Sequence, residues 1–129
     1  MRFSVNSDEL MARLTATSRV MASKTALPIL DNFLFNLTDS TLELTASDGE
    51  TSMATRMDVE NVEGSGMIAL PAKLLLDTFK VLHGRTVDFD IDMNTYAVKL
   101  SSGSWKAEYN GVDGVAYPKL TSLDASNTN

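Results

Sequence analysis

Phe35-Asn36-Leu37-Thr38-Asp39-Ser40-Thr41-Leu42-Glu43-Leu44 and Phe89-Asp90-Ile91-Asp92-Met93-Asn94-Thr95-Tyr96-Ala97-Val98 are two versions of one pattern. In both, apolar residues alternate with polar ones on either side of a short polar turn, which is the signature of a β-hairpin. Both continue to a glycine at the same offset, Gly49 and Gly103, and then to a third alternating run at 51–59 and 105–109. Similar segments at a fixed spacing mark an internal repeat, and the repeat governs how the rest of the chain is read.

What precedes each hairpin also matches. Phe3 and Val5 alternate with polar neighbours as a strand requires, and Ser7 offers a helix N-cap. Leu10, Leu14, Thr17 and Met21 fall within about 60° on a wheel turning ~100° per residue, one packed helix face. In the second half a short strand at 67–70 leads to Pro71, placed where a first helical residue belongs. Ala72, Leu75, Leu76, Phe79 and Leu82 form the second stripe, and Gly84 closes that helix after His83. The chain reads as strand, helix and three strands, repeated once. That is one α+β domain of two similar halves, with two helices packed on antiparallel sheet.

Composition bounds the function. The chain has 129 residues and no cysteine, which removes disulfides, thiolate metal sites and cysteine nucleophiles together. No opening run resembles a signal peptide and no later run is long enough to span a bilayer, so a cytoplasmic protein without membrane contact is expected. Seventeen Asp and Glu against eleven Lys and Arg give a net charge of −6. An acidic balance by itself argues against ordinary nucleic-acid binding, which shows a basic domain or stripe. The halves differ mainly at 22–30, an extra loop holding Lys24 and Leu27-Pro28-Ile29-Leu30. The polar segment 121–129 has no periodicity and reads as a linker or chain end, leaving 1–120 as the domain.

Several of these pieces resemble a known family. Met1-Arg2-Phe3, Leu27-Pro28-Ile29-Leu30 with Asn32, Thr41-Leu42-Glu43-Leu44-Thr45 leading to Asp48, Pro71-Ala72-Lys73 and Tyr117-Pro118-Lys119-Leu120 are similar, in order and spacing, to the amino-terminal domain of the bacterial DNA sliding clamp, the DNA polymerase III beta subunit. The similarity runs from Met1 to about Leu123. It implies a DNA-clamp fold and a ring of two head-to-tail subunits with three such domains each. Helices line the hole of that ring and sheets form its wall. It implies no catalysis and no cofactor. DNA polymerase III and the clamp loader would dock on the second and third domains, which this sequence does not include. Such a ring resolves the charge conflict. Topology retains the DNA, so only the hole need be positive, and faces more than a Debye length apart (~8 Å) act nearly independently.

The resemblance also ranks candidate residues. Lys24 occupies a position where the family carries a basic DNA contact. Arg19, opposite the first stripe with Ala12 and Thr15, and Lys73 and Lys80 on one flank of the second helix follow. Arg13, nearer the stripe's edge, comes last. Asp8 and Asp77 share these faces and weaken the field. Exposed Lys and Arg are also what any helix surface carries. Leu74 points away from its helix's stripe. The family puts that helix and the last strand of the second half at the subunit boundary, where Ala107 and Tyr109 match apolar positions. Ala107 is smaller than the family's usual residue there.

No catalytic set emerges. Asp88, Asp90 and Asp92 alternate onto one strand face, but Asp90-Ile91-Asp92-Met93-Asn94 fails as a calcium loop. Thr95 and Ser101 stand where Gly and Glu are required. A solvated outer face explains these acids. His83, the only histidine, reads as a helix-end cap with no triad around it, and Gly64-Ser65-Gly66 is too short for a phosphate loop. Two functions of different class stay open: a clamp domain that tethers a polymerase topologically, and a stand-alone binding or enzyme domain.

Overall fold

The computed structural model describes residues 1–19, 31–47 and 52–114. β1 (Arg2–Asn6) leads into α1 (Ser7–Ser18), followed by β2 (Asn32–Thr38), β3 (Thr41–Ser47), β4 (Ser52–Asp58) and β5 (Glu60–Glu63). The second half repeats the order with β6 (Gly66–Pro71), α2 (Ala72–Val81), β7 (Thr86–Ile91), β8 (Ala97–Ser102), β9 (Trp105–Asn110) and β10 (Val112–Asp113). Each half therefore has four strands after its helix, not three. β5 and β10 are only four and two residues long, too short to carry a readable alternation.

The halves exchange strands. One sheet runs β5-β1-β7-β8-β9 and the other β10-β6-β2-β3-β4, and every pairing is antiparallel. Each sheet takes its first two strands from one half and its other three from the other half. Swapping the halves converts one sheet order into the other, so the domain has an internal twofold. In register, Phe3, Phe89 and Leu100 of the first sheet correspond to Ile68, Phe35 and Leu44 of the second.

This correspondence corrects the repeat. Phe35 to Phe89 is 54 positions, as the sequence suggests, but Leu44 to Leu100 is 56, because the β7–β8 turn is two residues longer than the β2–β3 turn. A slip of two keeps every side chain on its face, whereas a slip of one would have inverted the strand. Helix boundaries also shift. Asn6, not Ser7, caps α1, its side chain accepting the Glu9 N–H at 3.0 Å. Ser7 is buried, and its Oγ accepts the Arg85 N–H at 3.1 Å. Pro71 is the extended N-cap of α2 and still pairs within β6, so the helix begins at Ala72. α2 ends at Val81 with Leu82 extended, and Gly84 (φ +62) lies in the turn beyond rather than at the cap.

Both sheets and both helices bury one continuous core. Leu10, Leu14 and Thr17 of α1 and Ala72, Leu75 and Phe79 of α2 face it, while Leu76 is half-buried at its margin. At its centre Phe89 stacks on Phe3 with centroids 4.8 Å apart and meets Phe35 at 6.0 Å and Phe79 at 6.3 Å. Three elements, β1, β2 and α2, thus converge on one ring of β7. The chain crosses between sheets at the same place in each half. The Val59 N–H donates to the Ser40 carbonyl at 2.9 Å, and the Gly111 N–H donates to the Tyr96 carbonyl at 2.8 Å.

The outer face of the first sheet carries Glu63, Arg2, Asp90, Lys99 and Glu108 in one register row across all five strands, with alternating sign. Arg2 and Asp90 close to 3.2 Å, and the bond and charge of Asp90, with Glu63 behind it, raise the Arg2 guanidinium's already high pKa. The three aspartates separate here. Asp88 accepts from Ser4 Oγ, and Asp90 pairs with Arg2. Asp92, beyond the strand, accepts the Asn94 and Thr95 N–H groups at 2.8 and 3.4 Å, and these bonds lower its carboxyl's pKa. Among the described residues no group of three or more His, Asp or Glu is arranged to hold a metal ion. None of the described helices is long and apolar enough to cross a membrane.

Candidate nucleic-acid interface

α1 and α2 lie together, and the amino end of one meets the carboxyl end of the other. The Ser7 N–H donates to the Arg85 carbonyl at 2.8 Å, and the Gly84 N–H donates to Asp8 Oδ2 at 3.0 Å. His83 therefore caps nothing. It stands exposed beyond the helix, with Nδ1 3.8 Å from Asp8 Oδ1. With their inner faces in the core, the helices present Asp8, Glu9, Ala12, Thr15, Ala16 and Arg19 from α1. From α2 they present Lys73, Leu74, Asp77, Lys80 and Val81.

The excess of cations lies at the carboxyl-terminal flanks of the helices, at Arg19 and Arg85. Residues 7–19 and 72–85 hold five cations (Arg13, Arg19, Lys73, Lys80, Arg85) against three carboxylates (Asp8, Glu9, Asp77), a net of +2. Within the helices themselves three cations balance three carboxylates. The chain as a whole is −6, so everything outside these two stretches sums to −8, six cations against fourteen carboxylates.

The five sequence-derived cations do not form one group. Arg19, at the carboxyl cap of α1, and Lys73 and Lys80 are exposed. Lys80 lies 3.8 Å from Asp77 in an exposed pair that holds it only weakly. Arg13 is turned away from the exposed face. Nη1 donates to Thr55 Oγ1 of β4 at 3.1 Å, Nη2 sits 3.4 Å from Glu9, and Nε is buried without a partner. Lys24 and Met21 lie outside the described residues.

The internal twofold explains Arg13. Leu10 and Leu14 of α1 match Leu75 and Phe79 of α2, which makes Arg13 the counterpart of Thr78. Thr78 Oγ1 hydrogen-bonds the Tyr109 hydroxyl on β9. Each helix thus reaches the outermost strand of one sheet, α1 to β4 and α2 to β9, from equivalent positions with different chemistry. By the same symmetry Lys73 matches Asp8, so the charge at the start of the two helices is opposite.

Leu74 is 50% exposed, and Ala107 and Tyr109 are half-buried on β9, an edge strand of the first sheet. Tyr109 turns its hydroxyl into α2. Two residues outside the sequence-derived set adjoin them: Val81, 71% exposed at i+7 from Leu74, and Trp105, which alternates onto the face of Ala107 and Tyr109 and packs with Tyr109 against the core. Spacings of seven on a helix and two on a strand were the available signals. β4, the symmetry mate of β9, is likewise the edge of its sheet. Open edges offer unpaired backbone groups to another strand.

Comparison with known proteins agrees with this geometry. Residues 1–121 match the family model described as DNA polymerase III beta subunit, N-terminal domain. The chain is 28% identical over 131 residues to the beta sliding clamp of Streptococcus pneumoniae, covering 96% of this chain and 34% of that protein. It is 32% identical over 124 residues to the beta sliding clamp homolog GriR of Streptomyces muensis, covering 95% and 32%. The crystal structure of the beta subunit from DNA polymerase of Streptococcus pyogenes superposes with TM-score 0.85 at 26% identity, over 93% of this chain and 32% of that one. That of a sliding clamp from Bartonella birtlesii bound to griselimycin gives 0.84 at 26% identity over the same shares. The chain spans about a third of the length of these relatives. A domain of two halves that exchange strands, matched over residues 1–121, belongs to the DNA polymerase III beta subunit family, in the part that the family's N-terminal domain describes.

Proposed function

We propose that this domain is one segment of a ring that encircles duplex DNA and tethers the replicative polymerase for processive synthesis, with no chemistry of its own. The observation that carries the reading is the charge difference between the two helices taken with their carboxyl-terminal flanks, residues 7–19 and 72–85, at +2, and the rest of the chain, at −8. A protein that grips DNA by contacts needs a strong basic surface. One held by topology needs only a weakly attractive inner face, and weak sequence-blind phosphate attraction permits sliding. Arg19, Lys73, Lys80 and Lys24 are the DNA-facing cations in this proposal, and Arg13 is a brace first. Leu74, Ala107 and Tyr109, joined by Val81 and Trp105, form the contact to a second subunit along the β9 edge. The symmetry-related β4 edge supports a head-to-tail arrangement, because a repeating contact needs two ends. Polymerase and clamp loader act through further domains of the same ring, in the cytoplasm.

The test is to load the ring built with this domain onto nicked circular DNA with its loader, then linearise the circle. Loss of the protein on cutting, at a salt concentration that leaves it on the intact circle, is the expected result. Retention unchanged by cutting would mean that contacts hold it. The stand-alone binding reading would then take over.

A further inference from the structure

We propose that Tyr96 is a strap that latches β10 onto the domain. β10 has only two register pairs, Val112 with Ala69 and Asp113 with Ile68, and both its residues are exposed. Two pairs on a sheet edge hold a strand marginally. The approach is nevertheless very close. A methyl group on Gly111 would lie 2.7 Å from Ile68 Cδ1 and 2.9 Å from the Ala69 carbonyl oxygen. One on Gly114 would lie 2.8 Å from the Ile68 nitrogen. Glycine at both ends lets the backbone press against β6, but it supplies no side chain to keep it there.

Tyr96 supplies the missing hold from the opposite sheet. Its carbonyl accepts the Gly111 N–H at 2.8 Å, while its own N–H donates to the Asp92 carbonyl at 2.7 Å. Its ring packs on the core, and its phenol reaches Asp113. Burial, then the Asp113 charge and hydrogen bond, raise the phenol's pKa. The residue does this at φ +62, a left-handed conformation that a bulky side chain adopts only when its surroundings impose it. In the first half the equivalent carbonyl belongs to Ser40, which has no ring to add. The two extra residues of the β7–β8 turn are what bring a tyrosine to this point.

Hydrogen–deuterium exchange of the chain as it stands tests the strap, independently of the ring reading. Tyr96→Phe keeps the ring in the core and removes only the bond to Asp113. It should speed exchange of the amides of residues 111–113 by about three- to tenfold, the range of one hydrogen bond. The central amides of β2 and β8 should not change. Tyr96→Gly, which removes ring and backbone strain together, should speed the same amides further. Unchanged exchange at 111–113 in Tyr96→Phe would overturn the proposal. So would an equal rise in every strand, since that is a general loss of stability and not release of a latch.

Discussion

Replacing Arg13 by methionine separates a structural role from a DNA-facing one. Methionine keeps most of the apolar stem of arginine and removes its donors and charge. The hydrogen bond to Thr55 Oγ1 at 3.1 Å is charge-assisted but half-exposed, and contributes about 1 kcal/mol. The i,i+4 pair with Glu9 adds about 0.3–0.5 kcal/mol. Part is returned, because the substitution also removes the buried, unpartnered Nε. A net loss of about 1 kcal/mol should lower Tm by roughly 3–5 °C in a domain of this size. Calorimetry of Arg13→Met, Thr55→Val and the double variant then measures the brace itself. Residues in contact should show a coupling of about 0.5–1 kcal/mol. Additivity within about 0.3 kcal/mol would refute the brace and return Arg13 to the exposed cations.

Phe89→Ala removes the ring on which β1, β2 and α2 converge, and should cost at least about 3–5 kcal/mol in urea unfolding, a large share of an ordinary domain's ~5–15 kcal/mol. A cost below about 2 kcal/mol would mean that the core closes without it. Lys73→Gln with Lys80→Gln should leave Tm unchanged, since both side chains are exposed, and should reduce the salt slope of the loaded ring's hold on DNA by up to about two per subunit. An unaltered slope would remove both from the DNA-facing set. Arg2→Glu places like charge beside Glu63 and Asp90 in one register row, so Tm should fall at low salt and recover as salt is added. A fall independent of salt would show that the row acts by packing rather than by charge.

The sequence made the repeat legible because its faces are coded at a period of two, and a two-residue slip at Met93–Tyr96 leaves that code intact. Leu10, Leu14, Leu75 and Phe79 were readable for the same reason, at a period near four. Helix ends were legible only to within a residue or two. Asn6 and Ser7 are both good caps, and the choice fell to a bond between Ser7 and Arg85, 78 positions away. The exchange of strands was not legible at all. Nothing local to Phe3 says that it pairs with Phe89 rather than with its own half. Arg13 failed for a related reason. Its place near the edge of the α1 stripe was visible, but Thr55, 42 positions on, had to be brought beside it by the fold.

The exchange bears on function as well as on folding. Because β1 and β6 each sit in the other half's sheet, neither half has a complete sheet alone, and the two edges β4 and β9 are fixed relative to each other through one shared core. A segment of a closed ring must hold its two ends at a constant angle, or the small errors of successive segments would prevent closure. The helices that brace those edges, through Arg13–Thr55 and Thr78–Tyr109, are also the ones that carry the proposed DNA-facing cations Lys73 and Lys80, with Arg19 at the cap of α1. In the proposed ring, the angle between the ends and the surface turned to DNA would therefore be set by the same two elements. Few positions remain for charge, since each helix gives one side to the core and one contact to its edge. Asp8 shows the limit. It is the counterpart of Lys73, yet its carboxylate is committed to the Gly84 amide at the end of α2, and a cation there would strengthen the field only by releasing the link between the helices.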